Sequence, residues 1–161
     1  MYPVPIINAI GKTLIRKKET IAVAESVTAG HLQAALSLAE NARRFFHGGV
    51  VAYNLGQKVT LLHVDSIHAE ECNCVSAPVA TQMARGISAL FNSTIGVAIT
   101  GYAAPVPEYG IEKLFAHYSI VRNNKIMRQG IIREENQNPL HVQLAYVDTI
   151  LHQLKKVLSA R

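Results

Sequence analysis

Three short apolar runs rich in β-branched residues, each followed by a stretch of helical periodicity, limit what this chain can fold into. Thr20–Ala24 (TIAVA), Gly48–Tyr53 (GGVVAY) and Ile95–Thr100 (IGVAIT) have the length and composition of strands buried on both faces. An amphipathic helix over residues 6–18 precedes the first run. Ala29, Leu32, Leu36 and Ala39 recur at helical spacing after it, and a short helix with Lys58, Leu61 and Leu62 follows the second. Ser76 caps a further helix with Pro78 in its first turn and Val79, Met83, Ile87 and Leu90 on its apolar face. The segments LFAHYSIV and IMRQGIIR flank Asn123–Asn124, a two-residue turn of residues that tolerate positive φ, and read as a hairpin. Asn138 and Pro139 open a last helix that carries Leu140, Leu144, Val147, Leu151, Leu154 and Leu158 along one side. Strands alternating with helices must be covered on both faces, and the hairpin adds antiparallel pairs. The expected fold is α/β, a three-layer α/β/α sandwich with a mixed sheet.

At 161 residues, 49% apolar and 17% charged, the chain reads as one globular domain over residues 1–161. The charge-free run from Gly86 to Pro107 is broken by Asn92, Ser93, Gly96 and Thr100, so it reads as a helix end, a turn and a buried strand and not as a membrane span. The apolar N-terminal stretch precedes the basic Arg16–Lys18, the reverse of a secretion signal. Only Cys72 and Cys74 are present, which suggests a reducing, cytoplasmic setting. With His63 and His68 they fit no common zinc spacing, and neither metal nor other cofactor is expected. The net charge of +5 is dispersed, with Arg16–Lys18 as its one run of three and Arg43–Arg44 among its pairs. No nucleic-acid motif accompanies it, so nucleic acid is disfavoured and a small anionic ligand fits better.

The candidate chemistry sits in AESVTAG, residues 24–30, at the junction of the first strand and the following helix. Ligands of open α/β sheets gather where strands end and helices begin, because unpaired helix amides there suit anions and oxyanions. Ser26 and Thr28 can cap the helix or meet a ligand, Gly30 permits close approach, and Glu25 can accept hydrogen bonds from a sugar or an amide. The plainer alternative makes Ser26 or Thr28 a cap and leaves Glu25 in solvent. Thr100 and Gly101 end another strand ahead of the loop YAAPVPEYG, and Tyr53 ends a third with Lys58 five residues on. Lys58 can pair with phosphate or, if desolvated, act as a base for a serine, although by spacing alone an exposed helix lysine is the plainer reading. His31 is expected at the rim of this pocket, and Phe45 and Phe46 in the packing.

Taken in order, AESVTAG, FFHGGVVAYNLGQKVTLLHV, VSAPVATQMARGI and GVAITGYAAP resemble the CinA C-terminal (competence/damage-inducible) family from about Ile7 to Leu158. Its active members deamidate nicotinamide mononucleotide with a serine–lysine pair and no metal. The resemblance implies catalytic roles for Ser26, Lys58 and Tyr53, and substrate binding by Glu25, Thr28, Gly30, Thr100 and Gly101. It implies a mononucleotide-like anionic ligand, and a homo-oligomer is the expected assembly. There are departures. The family's ESCTGG reads Glu25–Ser26–Val27–Thr28–Ala29–Gly30, and its GPGGG loop becomes APVPEYG. An arginine of the last helix falls near Leu140 or His141. A Gly-Ser-Ser expected to hold the nucleophile aligns with Asn41–Ala42–Arg43, and no serine or threonine lies between Ser37 and Thr60. Amidase activity is therefore expected to be poor unless Ser26 lies within hydrogen-bond reach of Lys58. The competing class is a non-catalytic nucleotide-binding or regulatory protein on the same fold.

Overall fold

The computed structural model describes residues 1–160. In chain order its elements are α1 (Val4–Lys17), β1 (Ile21–Glu25), α2 (His31–Ser37), β2 (Phe46–Val51), α3 (Leu55–Leu62), α4 (Ser66–Glu71), α5 (Ala77–Leu90), β3 (Ile95–Gly101), β4 (Leu114–Arg122), β5 (Lys125–Glu134) and α6 (Pro139–Ser159). The five strands form one sheet in the order β2-β1-β3-β4-β5, parallel across β2, β1 and β3 and antiparallel across β3, β4 and β5. Helices α1, α2 and α6 pack on one face around Ile7, Leu14, Leu36, Tyr146 and Leu151; α3, α4 and α5 cover the other around Leu62, Val79, Met83 and Ile87. This is the expected three-layer sandwich with a mixed sheet. Among the described residues, no helix is long and apolar enough to cross a membrane.

Local chemistry accounts for the element boundaries. Ser76, Asn138 and Asn54 accept hydrogen bonds from Val79, His141 and Gln57 amides, capping α5, α6 and α3. Asn123 and Asn124 both adopt positive φ, 48° and 66°, which a tight hairpin turn requires. Helix α4 carries no apolar periodicity of its own and was not expected. Asp65 creates it by accepting the Ile67 and His68 amides.

Because β2 and β3 lie on opposite sides of β1, the chain leaves β1 in one direction and returns in the other, opening a crevice beyond the carboxyl ends of β1 and β3. The Ser26 amide donates to Ile99 O at 3.1 Å and ties the two strand ends together. Behind this junction the Glu25 carboxylate is fully buried. Its Oε2 accepts from the Thr28 hydroxyl (2.6 Å) and the Gly30 and Leu32 amides (3.2 and 2.9 Å), and its Oε1 accepts from the Gln33 amide (2.8 Å). Glu25 thus caps α2 from the preceding strand. It satisfies amides that no residue of the turn itself caps, and its charge meets the positive end of the helix.

Glu25, Thr28 and Gly30 were expected to bind substrate, and here the structure corrects the reading. The Thr28 hydroxyl and the Gly30 amide are spent on Glu25, and Gly30 supplies a φ of 105° that a side chain would resist. Ala29 holds φ 47°, a left-handed conformation, where the family pattern carries glycine.

Two stability changes follow. Glu25→Ala strands three amides and a hydroxyl in the interior and is expected to cost about 3 kcal/mol or more in denaturant unfolding. A loss below about 1 kcal/mol would contradict the capping role. Ala29→Gly is expected to stabilise by about 0.5 kcal/mol, the relieved left-handed cost exceeding the added chain entropy.

Candidate active site

A cavity of about 590 Å³ occupies the crevice beyond β1 and β3, within the range of small-molecule sites. Ser26, Tyr53, Lys58, Thr100 and Gly101 all line it, as the strand-end argument required. Glu25, Thr28 and Gly30 are not on its wall. His31, expected at the rim, instead lies 2.7 Å from the Tyr2 hydroxyl outside the cavity lining. Phe45 is buried in the core, and Phe46 packs against it.

Lys58 is the central finding. It sits on the first turns of α3, one helical turn before Leu62, and both face inward. Only 1% of Lys58 is exposed, so it is not the solvated helix lysine that spacing alone favoured. Its Nζ donates to Ser26 Oγ and to Ala52 O, both at 2.9 Å. Burial pushes its pKa down, since the ammonium loses water that one hydroxyl and one carbonyl do not replace. Cys74, also on the wall, opposes the shift, while its own thiol is pushed up by burial. A buried lysine biased toward the free amine, in contact with a serine hydroxyl, is the arrangement a serine needs to become a nucleophile.

The surrounding contacts hold this pair. Gln143 of α6 donates from Nε2 to Val27 O at 2.8 Å, fixing the residue after Ser26. The Thr100 hydroxyl donates to Cys74 O at 2.7 Å, so its side chain staples β3 to the loop after α4. Tyr146 donates to Tyr102 O at 2.9 Å and anchors the next loop. Tyr53 is 68% exposed and stands at the mouth.

Several wall residues were missed from sequence. Tyr102 and Tyr109 belong to the loop YAAPVPEYG, which was singled out for its strand-end position but not for its aromatics. Glu70 lies on α4, the helix that periodicity did not reveal, and Gln143 is an unremarked polar position on α6. Among the described residues, the wall carries one lysine, Lys58, and one carboxylate, Glu70. Glu25 already occupies the α2 N-terminus, and Arg43 and Arg44 are not on the wall, but the first residues of α3 and α6 are, through Asn54, Leu55 and Pro139.

Arg43, where the alignment puts the expected nucleophile, lies away from the Ser26–Lys58 pair. It lies in a short 3-10 turn, Ala42–Arg44, that leads into the start of β2, whereas Ser26 follows the end of β1. The two strands are parallel, with Ile21 beside Phe46 and Glu25 beside Val51. Position 43 is thus at the opposite edge of the sheet from Lys58, roughly 15 Å away along the strands. A serine there would not reach Lys58.

Comparison with known proteins agrees with this architecture. The family described as the CinA C-terminal domain matches residues 4–157. A CinA-like protein of Rippkaea orientalis is 42% identical over 98 residues, which are 61% of this chain and 24% of that protein. One of Synechocystis is 41% identical over 100 residues, covering 62% of this chain and 24% of its own length. The aligned part thus spans about a quarter of the length of these relatives. Among solved structures, a competence-damaged protein (CinA) superfamily protein from Escherichia coli superposes with a TM-score of 0.84 at 26% identity, over 94% of this chain and 87% of that one. Another from Klebsiella pneumoniae gives 0.87 at 24% identity over 99% of both chains and shares the fold. With nearly its whole length matched in order, this chain belongs to the CinA C-terminal domain family.

Proposed function

We propose that this protein is a serine–lysine amidohydrolase that converts the carboxamide of a pyridine mononucleotide, the substrate type the family resemblance implies, to the acid and ammonia. The observation that carries this reading is the 2.9 Å contact between Lys58 Nζ and Ser26 Oγ inside the strand-end cavity. Ser26 is therefore the nucleophile, and a serine near position 43 is not needed.

The free amine of Lys58 donates to Ala52 O and accepts the Ser26 proton as Oγ bonds to the carboxamide carbon. The Val27 amide, next after the nucleophile, is the donor we assign to the developing oxyanion, a position used by other hydrolases whose nucleophile sits on a strand-to-helix turn. When the C–N bond breaks, the proton held on Nζ passes to the leaving nitrogen, and ammonia departs. An ester remains on Ser26. Water then gives a proton to Lys58 while its oxygen bonds to the acyl carbon, and that proton returns to Ser26 Oγ as the acid is released. Tyr53, at the mouth and without a bond to either group, is given a substrate-contact role in place of a catalytic one.

Purified protein is expected to release ammonia from nicotinamide mononucleotide. Ser26→Ala and Lys58→Met should each lower kcat by about 1000-fold or more with the fold retained by circular dichroism. A ligand-induced thermal shift without turnover would select the non-catalytic binder instead.

The pH dependence follows from the direction of the Lys58 shift. Activity should rise with pH as Lys58 loses its proton and level off below the ordinary lysine value of 10.5. In the same window the unfolded chain binds the proton more tightly than the folded one, so Lys58 makes stability rise with pH up to the ordinary value. Lys58→Met should remove that rise from the denaturant midpoint, and an unchanged slope would contradict burial of a neutral amine.

A further inference from the structure

Strand β5 forms one edge of the sheet, and among the described residues no strand pairs with its outer side. A free edge is a template for another strand unless the chain blunts it. The opposite edge, β2, is blunted: it carries Gly48 and Gly49, and Gly48 holds φ at 120°, far from the strand region. Between Arg128 and Glu134, β5 has no proline, and its one irregularity lies nearer the turn, between the pairs Ile120–Arg128 and Val121–Ile126. Ile131, in the middle of that run, is 44% exposed. We propose that β5 is the docking surface for a second copy of this chain, the two strands pairing antiparallel about a two-fold axis at Ile131 so that one sheet runs through both copies.

The register follows from which side chains share a face. Arg128 donates from Nη1 to Gln153 Oε1 of α6 at 2.9 Å, and Ile132 is buried in the core on that side. Arg128, Gly130, Ile132 and Glu134 therefore face α6. Gln129 accepts from the Thr81 hydroxyl of α5 at 3.2 Å, so Gln129, Ile131 and Arg133 face the other way. Strands that join in one sheet must match faces, which admits registers centred on a residue and excludes those centred between two. Centring on Ile131 sets Arg128 against the partner's Glu134 and Glu134 against the partner's Arg128. It also brings the two exposed isoleucines together on the axis. Centring on Gly130 or Ile132 instead sets Arg128 against the partner's Ile132, or Glu134 against the partner's Gly130, and leaves these charges unmatched. Charges on an edge strand normally repel other edges, but here the two signs are complementary under a two-fold axis and select a copy of the same strand. Strand β4 separates β5 from β3, so the strand-end cavity stays open and the contact holds whether or not the amidase reading does.

Sedimentation equilibrium of the full chain is expected to show a dimer or a larger assembly built from it. Ile131→Lys sets two ammonium groups against each other on the axis and should weaken association by about 10-fold or more. Arg128→Glu puts like charges opposite each other at both ends of the contact and should weaken it by about 10-fold. Ile131 and Arg128 are exposed, so both variants should keep the wild-type circular dichroism. Combining Arg128→Glu with Glu134→Arg restores opposite charges and should return the dissociation constant to within about 3-fold of the wild type. A chain still monomeric at about 100 µM overturns the proposal. So does an assembly of any size indifferent to Ile131→Lys, or a double exchange that fails to recover association.

Discussion

Everything that is distinctive about this site depends on where the Glu25 carboxylate goes. A buried carboxylate without a cation is costly unless its lone pairs are filled, and here one hydroxyl and three amides fill them. Those donors come from the turn and from the first residues of α2, so the charge can be satisfied only when the strand end, the turn and the helix start adopt one mutual geometry. That geometry points Ser26 away from Glu25, into the crevice, where it meets Lys58. The polar cluster that looked like a ligand site divides into two parts: Glu25, Thr28 and Gly30 build the turn, and Ser26 uses it.

Lys58 is held by the complementary constraint. Its helix begins at a capped Asn54 directly after β2, which runs parallel to β1. Parallel pairing places the ends of β1 and β2 at the same edge of the sheet, so Ser26 and the first turns of α3 converge there from chain positions 32 apart. The same pairing separates the start of β2 from that edge by the length of a strand. A motif alignment alone leaves open whether Ser26 can stand beside Lys58 in place of a serine at position 43. Sheet topology does not.

Much of the fold was legible because its signals are local. The Asn123–Asn124 turn, the Ser76 and Asn138 caps and most of the apolar faces of α5 and α6 act within a few residues and lie where periodicity put them. The exceptions are Leu90 and Leu140, which are exposed, while Val142, Tyr146 and Ile150 complete the buried face of α6. The boundaries of β1 and β2 moved by one to two residues, since pairing and not composition ends a strand. Site residues were legible only as a set at strand ends. Whether a polar side chain faces the cavity or the turn behind it depends on contacts between neighbouring elements. Thr28 and Ser26 are two residues apart with the same functional group, yet one hydroxyl serves Glu25 and the other serves Lys58. Glu70 was invisible for a different reason: α4 is set by a single Asp65 cap, not by a repeating apolar face.

The chemistry of the pair also constrains what the rest of the cavity can contain. A lysine that serves as a base must stay unprotonated, so each neighbouring charge acts on the reaction through Lys58 as well as on the ligand. Adding an anion at close range raises its pKa and removes the free amine; adding a fixed cation favours the amine but repels a positively charged ring. A wall of tyrosines, amides and small residues, with its one carboxylate out at the exposed edge, avoids both penalties. The electrostatic restraint of the cavity is therefore the counterpart of burying Lys58.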